Sequence, residues 1–232
     1  MCWIIVILFL ALTIFLVWAS ADISSNIYLK SVCKGDTEDK VIALTFDDGP
    51  DEVMTPRVLD VLKRHDVKAT FFLIGDKVDK YPHIAKRIVD EGHIVGNHTY
   101  SHSGLFPLSS SAKVKNELQR CNDSIYKAVG LRTKLFRPPF GVTNPIIGKN
   151  VRQCGFKTIG WSIRSLDTVK RKSREEVLEK VELQLHPGAI ILLHDRCENA
   201  DVLLENIITS SLEKGFGIVS LDEMLKLKAY ED

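Results

Sequence analysis

The chain has little net charge, few cysteines and no glycine-rich phosphate loop, and each shortage removes a class of function. Lys and Arg number 31 against 30 Asp and Glu, leaving +1 with neutral histidines. No basic domain or stripe emerges from that balance, so nucleic acid is not an expected partner. The densest basic run, Lys170-Arg171-Lys172 with Arg174, is answered at once by Glu175 and Glu176 and reads as a solvated helix start. The five cysteines (Cys2, Cys33, Cys121, Cys154, Cys197) show none of the close pairing of a zinc knuckle, and isolated thiols are expected. Repeats and low-complexity tracts are missing too. After the first apolar run stands Asp47-Asp48-Gly49-Pro50, where a nucleotide-binding sheet would carry its glycine-rich turn.

What is present begins with Cys2 to Ala19, an uncharged and almost wholly apolar run of borderline length for a bilayer span. Ala19-Ser20-Ala21 has the small-x-small form of a signal-peptidase site, although no Lys or Arg precedes the run. Residues 1–21 are therefore expected to be a cleaved signal or a membrane anchor, and either places the rest of the chain outside the cytoplasm. Residues 22–40 are mostly polar and aperiodic, and are expected to be a tether.

From Val41 onward, short apolar runs alternate with amphipathic segments. Strands are expected at 41–46, 69–74, 93–96, 134–136, 157–161, 189–193 and 217–219. Helices are expected at 54–66, 78–91, 110–129, 144–154, 173–185, 199–214 and 221–228, with Ser173 and Glu176 spaced as a capping box. In the first of these, Val58, Leu59 and Leu62 make one apolar face. Seven β-then-α units imply a parallel α/β sheet, and the missing phosphate loop favours a seven-stranded barrel over an open nucleotide-binding sheet. A domain over 41–228, with 45% of the whole chain hydrophobic, is large enough to bury a core.

Chemistry-bearing residues cluster where such strands end. Asp47 and Asp48 close the first strand, His98 and His102 follow the third, Arg137 the fourth, Asp167 the fifth, and His194-Asp195 the sixth. In a barrel these ends form one rim, where active sites are built. The i, i+4 spacing of His98 and His102 would set two imidazoles on one face of a helical turn. With one carboxylate they make a three-ligand site open to water and substrate, a donor set suited to zinc and other first-row divalent ions. Adjacent aspartates diverge, so one is expected to bind metal and the other to act as a base. His194, at the open end of a buried strand, is placed to donate a proton.

These segments, Thr45-Phe46-Asp47-Asp48-Gly49-Pro50, His98-Thr99-Tyr100-Ser101-His102, Phe136-Arg137-Pro138-Pro139-Phe140-Gly141 and Leu192-Leu193-His194-Asp195, resemble in this order the signature motifs of NodB-type polysaccharide deacetylases, family 4 of the carbohydrate esterases. The resemblance runs from about Val41 to Leu227. It implies a distorted (β/α)7 barrel related to the TIM barrel, and metal-dependent removal of N-acetyl groups from amino-sugar polymers such as peptidoglycan or chitin-like chains. By motif position it makes Asp47 the base and Asp48, His98 and His102 the metal ligands. Arg137 would orient the base, Asp167 would support Arg137, and His194 would be the acid. The Phe140 N–H would hold the oxyanion, with Leu192 also at the substrate.

In Trp161-Ser162-Ile163-Arg164-Ser165-Leu166-Asp167-Thr168 the resemblance weakens, because Thr168 stands where the family usually has Trp and Arg164 adds a charge. A lost stacking wall points to a smaller, acidic or lipid-linked glycan. Three other functions compete: an amidase of this fold acting on a glycolipid or small amide, a catalytically silent glycan-binding module, and a non-haem iron oxygenase. The last has no use for a spare base and an acid histidine.

Overall fold

The computed structural model describes residues 2–231. Nine strands, all pairing in parallel, form one sheet: β1 (Ser31–Val32), β2 (Val41–Gly49), β3 (Thr70–Leu73), β4 (Ile94–Asn97), β5 (Leu135–Phe136), β6 (Lys157–Ile159), β7 (Ile163–Arg164), β8 (Ala189–His194) and β9 (Gly217–Ile218). Their order is β1-β6-β5-β4-β3-β2-β8-β7, with β9 also on β2. Every one of the seven expected strands is present, and β1 and β7 are additional two-residue strands.

The helices are α1 (Cys2–Ala21), α2 (Met54–Arg64), α3 (Gly75–Lys80), α4 (Pro82–Asp90), α5 (Ser111–Val129), α6 (Pro145–Gln153), α7 (Arg174–Gln184), α8 (Ala200–Glu213) and α9 (Leu221–Leu225). The single helix expected over 78–91 is two, because Tyr81 leaves helical geometry (φ −127°, ψ 55°) immediately before Pro82. Ser173 and Glu176 form the expected reciprocal capping box.

Period-two alternation explains how the strands divide their residues. On β2, Ile42, Leu44 and Phe46 pack with Val58, Leu59 and Leu62 of α2 and with Leu204, Ile207 and Ile208 of α8. Ala43 faces the other way, clustering with Phe72, Leu135, Ile159 and Ile190 inside the barrel. Thr45 and Asp47 continue that inner row toward the C-terminal rim. β8 behaves alike: Ile190, Leu192 and His194 alternate with Ile191 and Leu193, which lie in the outer layer. Burial on both faces is why these strands read as nearly continuous apolar runs.

The tether expected at 22–40 is a correction. Ile23 and Leu29 are buried, β1 pairs with β6, and Lys34 forms an antiparallel bridge to Ala189 of β8. The segment thus spans the gap between β6 and β8, and its backbone groups find partners that no local hydrophobic period would signal. Gly188 (φ +73°) permits the closest approach there, since a Cβ would lie 2.4 Å from the Gly35 carbonyl oxygen.

Helix α1 contains a 19-residue window, Trp3–Ala21, long and apolar enough to cross a membrane. Its last turn is docked on the domain: Ala19 is fully buried and the Thr143 N–H donates to the Ser20 carbonyl at 2.9 Å. Cys33, Cys121, Cys154 and Cys197 are free thiols.

Candidate active site

A cavity of about 520 Å³ opens at the C-terminal rim of the sheet, with Asp47, Asp48, His98, His102, Leu192 and His194 in its wall. Strand register places its two central groups. Asp47 on β2 is the Cα partner of His194 on β8, so the carboxylate and imidazole rise from neighbouring strands about 5 Å apart.

Asp48 should point away from Asp47 by simple alternation, yet it faces the same cavity. The ladder between β2 and β3 is irregular between Asp47 and Gly49, and Asp48 takes the left-handed conformation (φ +73°). A bulge of this kind re-aims a side chain at a barrel rim. The expected divergence of the two aspartates is therefore removed by the backbone, while their partners still differ.

Asp47 is held from behind by Arg137, whose Nη1 donates to Asp47 Oδ1 at 2.8 Å and to Thr45 Oγ1 at 2.9 Å. The same guanidinium donates to the carbonyls of Ile159 (3.0 Å) and Gly160 (2.8 Å) and lies over the Phe72 ring. It is completely buried, so a fixed fork of donors replaces water at every face.

Asp48 faces the histidine pair. Its Oδ1 lies 3.5 Å from His98 Nε2 and 3.3 Å from His102 Nε2. Burial pushes the Asp48 carboxyl up, but the hydrogen bond and charge of His98, with His102 and Arg196, hold it far below the usual carboxylate range. Burial, then the neighbouring His98, pushes His102 down to about 4. An ionised carboxylate and a neutral imidazole are the protonation states that ligate metals. His98 Nδ1 donates to the Arg137 carbonyl at 2.7 Å, which fixes the ring with its Nε2 turned toward Asp48.

The helical turn expected for His98 and His102 is corrected. His98 leaves β4, and the chain reverses through left-handed Thr99 (φ +66°) and His102 (φ +46°). Asn97 Oδ1 accepts from the Thr99 N–H at 2.9 Å, and Thr99 Oγ1 from the His102 N–H at 3.2 Å. These local bonds favour a loop over a helix, and they bring the rings to a centroid separation of 4.7 Å.

Asp167 is a second correction, because it does not touch Arg137. Its Oδ2 accepts from the His194 N–H at 2.7 Å and its Oδ1 pairs with His194 Nδ1 at 2.8 Å. Burial lowers the His194 pKa, but the hydrogen bond and charge of Asp167, aided by Asp47 and Asp48, raise it above the ordinary histidine value. Arg137 is engaged instead by Asp47, Thr45 and the carbonyls of Ile159 and Gly160.

Asp195, grouped with the rim in the sequence, turns away. It follows Leu193 onto the outer face, where Thr55 Oγ1 of α2 donates to its Oδ2 at 2.6 Å. Burial lifts its carboxyl to about 7.

The Phe140 ring meets His102 at 4.8 Å, its backbone in the left-handed region (φ +60°). Gly141 beside it also has positive φ, and a Cβ there would lie 2.6 Å from the Trp161 ring. Leu192, Trp161 and Thr168 line the same cavity. Sequence reasoning missed two cations. Arg196 donates through Nε to Asp48 Oδ2 at 2.8 Å, and Lys77 Nζ donates to the Asp48 carbonyl at 2.7 Å. The only advance signal for Arg196 was its place directly after His194-Asp195.

A profile of the polysaccharide deacetylase family matches residues 34–159. The chain is 37% identical over 194 residues to the peptidoglycan-N-acetylmuramic acid deacetylase PdaA of Bacillus subtilis, covering 82% of this chain and 73% of that protein. Among solved structures, the Bc1960 peptidoglycan N-acetylglucosamine deacetylase aligns with a TM-score of 0.80 at 33% identity, over 86% of this chain and 94% of that one. BA3943, a family 4 (CE4) pseudoenzyme from Bacillus anthracis, aligns with a TM-score of 0.78 at 33% identity, over 84% and 68%. With its barrel and rim described and these likenesses in hand, the chain belongs to the polysaccharide deacetylases, the enzymes of carbohydrate esterase family 4.

Proposed function

We propose that the protein is a metal-dependent N-deacetylase acting on the amino sugars of peptidoglycan, outside the cytoplasm. The observation that carries this reading is one cavity wall holding Asp47 and His194 in register beside the cluster of Asp48, His98 and His102. The names of the relatives supply the glycan: one acts on N-acetylmuramic acid and one on N-acetylglucosamine of peptidoglycan. Helix α1 supports export, as an anchor or a signal.

The three ligand atoms fit a zinc ion. Two ligands of a tetrahedral zinc, at about 2.0–2.1 Å from the metal, stand about 3.3 Å apart. Asp48 Oδ1 stands at 3.3 and 3.5 Å from the two Nε2 atoms, and all three atoms lie within 4.8 Å of one another. When bound, a divalent ion there would polarise the acetamide carbonyl and acidify the attacking water.

The chain's own groups supply the rest. Asp47, aimed by the Arg137 guanidinium, accepts a proton from the attacking water. The Phe140 N–H donates to the carbonyl oxygen as negative charge develops on it. His194, held by Asp167 with its proton toward the cavity, protonates the departing amine. Leu192 and Trp161 provide an apolar wall for the acetyl methyl.

Acetate release from a panel of N-acetylated glycans, with and without chelator, tests the assignment. Release from peptidoglycan glycan strands that stops on chelation and returns with zinc is expected. No release from any glycan would overturn it in favour of a catalytically silent glycan-binding module; BA3943 shows that the family includes pseudoenzymes.

A further inference from the structure

The cavity wall on the β7–β8 side is cationic. Arg164 ends β7 and is the Cα partner of Leu192, which places it one strand, about 5 Å, from the residue proposed to face the acetyl group. Arg164 lines the cavity, is exposed, and has no ion pair among the described residues. Arg196, two residues beyond His194, commits only Nε to Asp48, and its terminal N–H groups are unassigned among the described residues. Asp167, three residues after Arg164, is occupied at both oxygens by His194. Of the three aspartates in the wall, Asp47 is held by Arg137, Asp48 faces the histidine pair and Arg196 Nε, and Asp76 belongs to α3 beyond β3, with β2 and β8 between it and Arg164. Arg164, and the terminal N–H groups of Arg196 beyond its Nε bond to Asp48, thus stand on the β7–β8 side of the cavity with no protein carboxylate bound to them among the described residues.

Their position defines where a substrate charge would have to be. In the proposed reaction His194 serves the nitrogen on C2 of the sugar, and O3 is a substituent on the adjacent ring carbon, within reach of a long side chain beside His194. In N-acetylmuramic acid that oxygen carries a lactyl ether ending in a carboxylate; in N-acetylglucosamine it is an uncharged hydroxyl. Guanidinium groups match carboxylates in charge and in fork geometry.

We propose that Arg164 and Arg196 form a carboxylate-binding subsite that makes N-acetylmuramic acid, rather than N-acetylglucosamine, the preferred sugar. This rests on the deacetylase reading above and names the substrate of that same cavity. Arg164 is the cleaner probe, because Arg196 also touches Asp48.

The test uses the full-length zinc-loaded protein and its Arg164→Gln and Arg164→Lys variants. The substrates are peptide-free peptidoglycan glycan strands, the same strands with their muramic carboxylates methyl-esterified, chitotetraose, and a hyaluronan oligomer whose carboxylate is on the neighbouring uronic acid. Wild type is expected to remove acetyl groups from the muramic position of the unmodified strands, located by mass spectrometry. Its KM there should be at least tenfold below that for the esterified strands, chitotetraose or hyaluronan. Arg164→Gln should lose that advantage, its KM rising several-fold more on the unmodified strands than on chitotetraose, and Arg164→Lys should recover part of it. Equal effects of Arg164→Gln on charged and neutral glycans, or no wild-type preference for the free carboxylate, would overturn the subsite. Equal preference for hyaluronan would overturn its placement at O3. Should no glycan be deacetylated, the functional reading falls, and calorimetric binding of free-acid against esterified strands still decides the subsite: equal affinities would sink it.

Discussion

Asp167 grips His194 twice, at the main-chain N–H and at ring Nδ1, with both bonds under 3 Å. One carboxylate thereby fixes the position, the ring orientation and the tautomer of the proposed acid. Its charge also favours the protonated imidazole, which is the form that can donate.

The pH profile follows in sign. A raised His194 pKa keeps the acid protonated to higher pH, so turnover should fall only as pH rises through that raised value. Asp167→Asn removes the charge and should move the basic limb of kcat to lower pH, with a smaller change in KM. A limb that stays in place on this substitution would show that His194 is not the titrating acid. The readout is acetate release as pH is raised from below to above the ordinary histidine value.

Acid and metal ligand should separate cleanly. His194→Ala should cost about 10²–10⁴ in kcat and leave zinc content near wild type. His102→Ala should lose zinc and activity together. Plasma emission spectrometry beside the kinetic assay distinguishes them, and equal zinc loss in both variants would make His194 a ligand.

Arg137 joins the two halves of the site, its side chain on Asp47 and its carbonyl on His98. Arg137→Ala would strand a buried carboxylate and several carbonyls, at about 3–5 kcal/mol of stability. Arg137→Lys keeps the charge without the fork and should fall between wild type and Ala in urea midpoint and in kcat. A Lys variant with wild-type kcat would refute the orienting role.

Asp195 predicts a pH-dependent stability. Its carboxyl titrates near 3.8 when unfolded and near 7 in the fold, because burial disfavours its charge. Between those values the unfolded chain sheds a proton that the folded chain keeps. Folding stability from this group should therefore decline as pH rises through that window, by a few kcal/mol, and level off above it. Asp195→Asn, which keeps an acceptor for Thr55, should flatten the slope in urea melts; an unchanged slope would assign it to other groups.

Much of this was legible before any coordinates. Strand alternation in Ala43-Leu44-Thr45-Phe46-Asp47 and Ile190-Ile191-Leu192-Leu193-His194 is local, so the seven strands, the parallel sheet and the rim position of Asp47, His98, Arg137 and His194 could be read from residue order. What could not be read depends on residues distant in the chain. The bulge at Asp48 forms against β3, and Asp167 finds His194 across 27 residues. β1 closes onto β6 more than a hundred residues on, which a polar, aperiodic segment gives no sign of. Arg164 and Arg196 meet at one cavity only because β7 lies beside β8. Periodicity encodes which face a side chain takes; which partner it meets there is settled by packing, since each buried donor and charge must be satisfied by whatever the folded chain brings within reach.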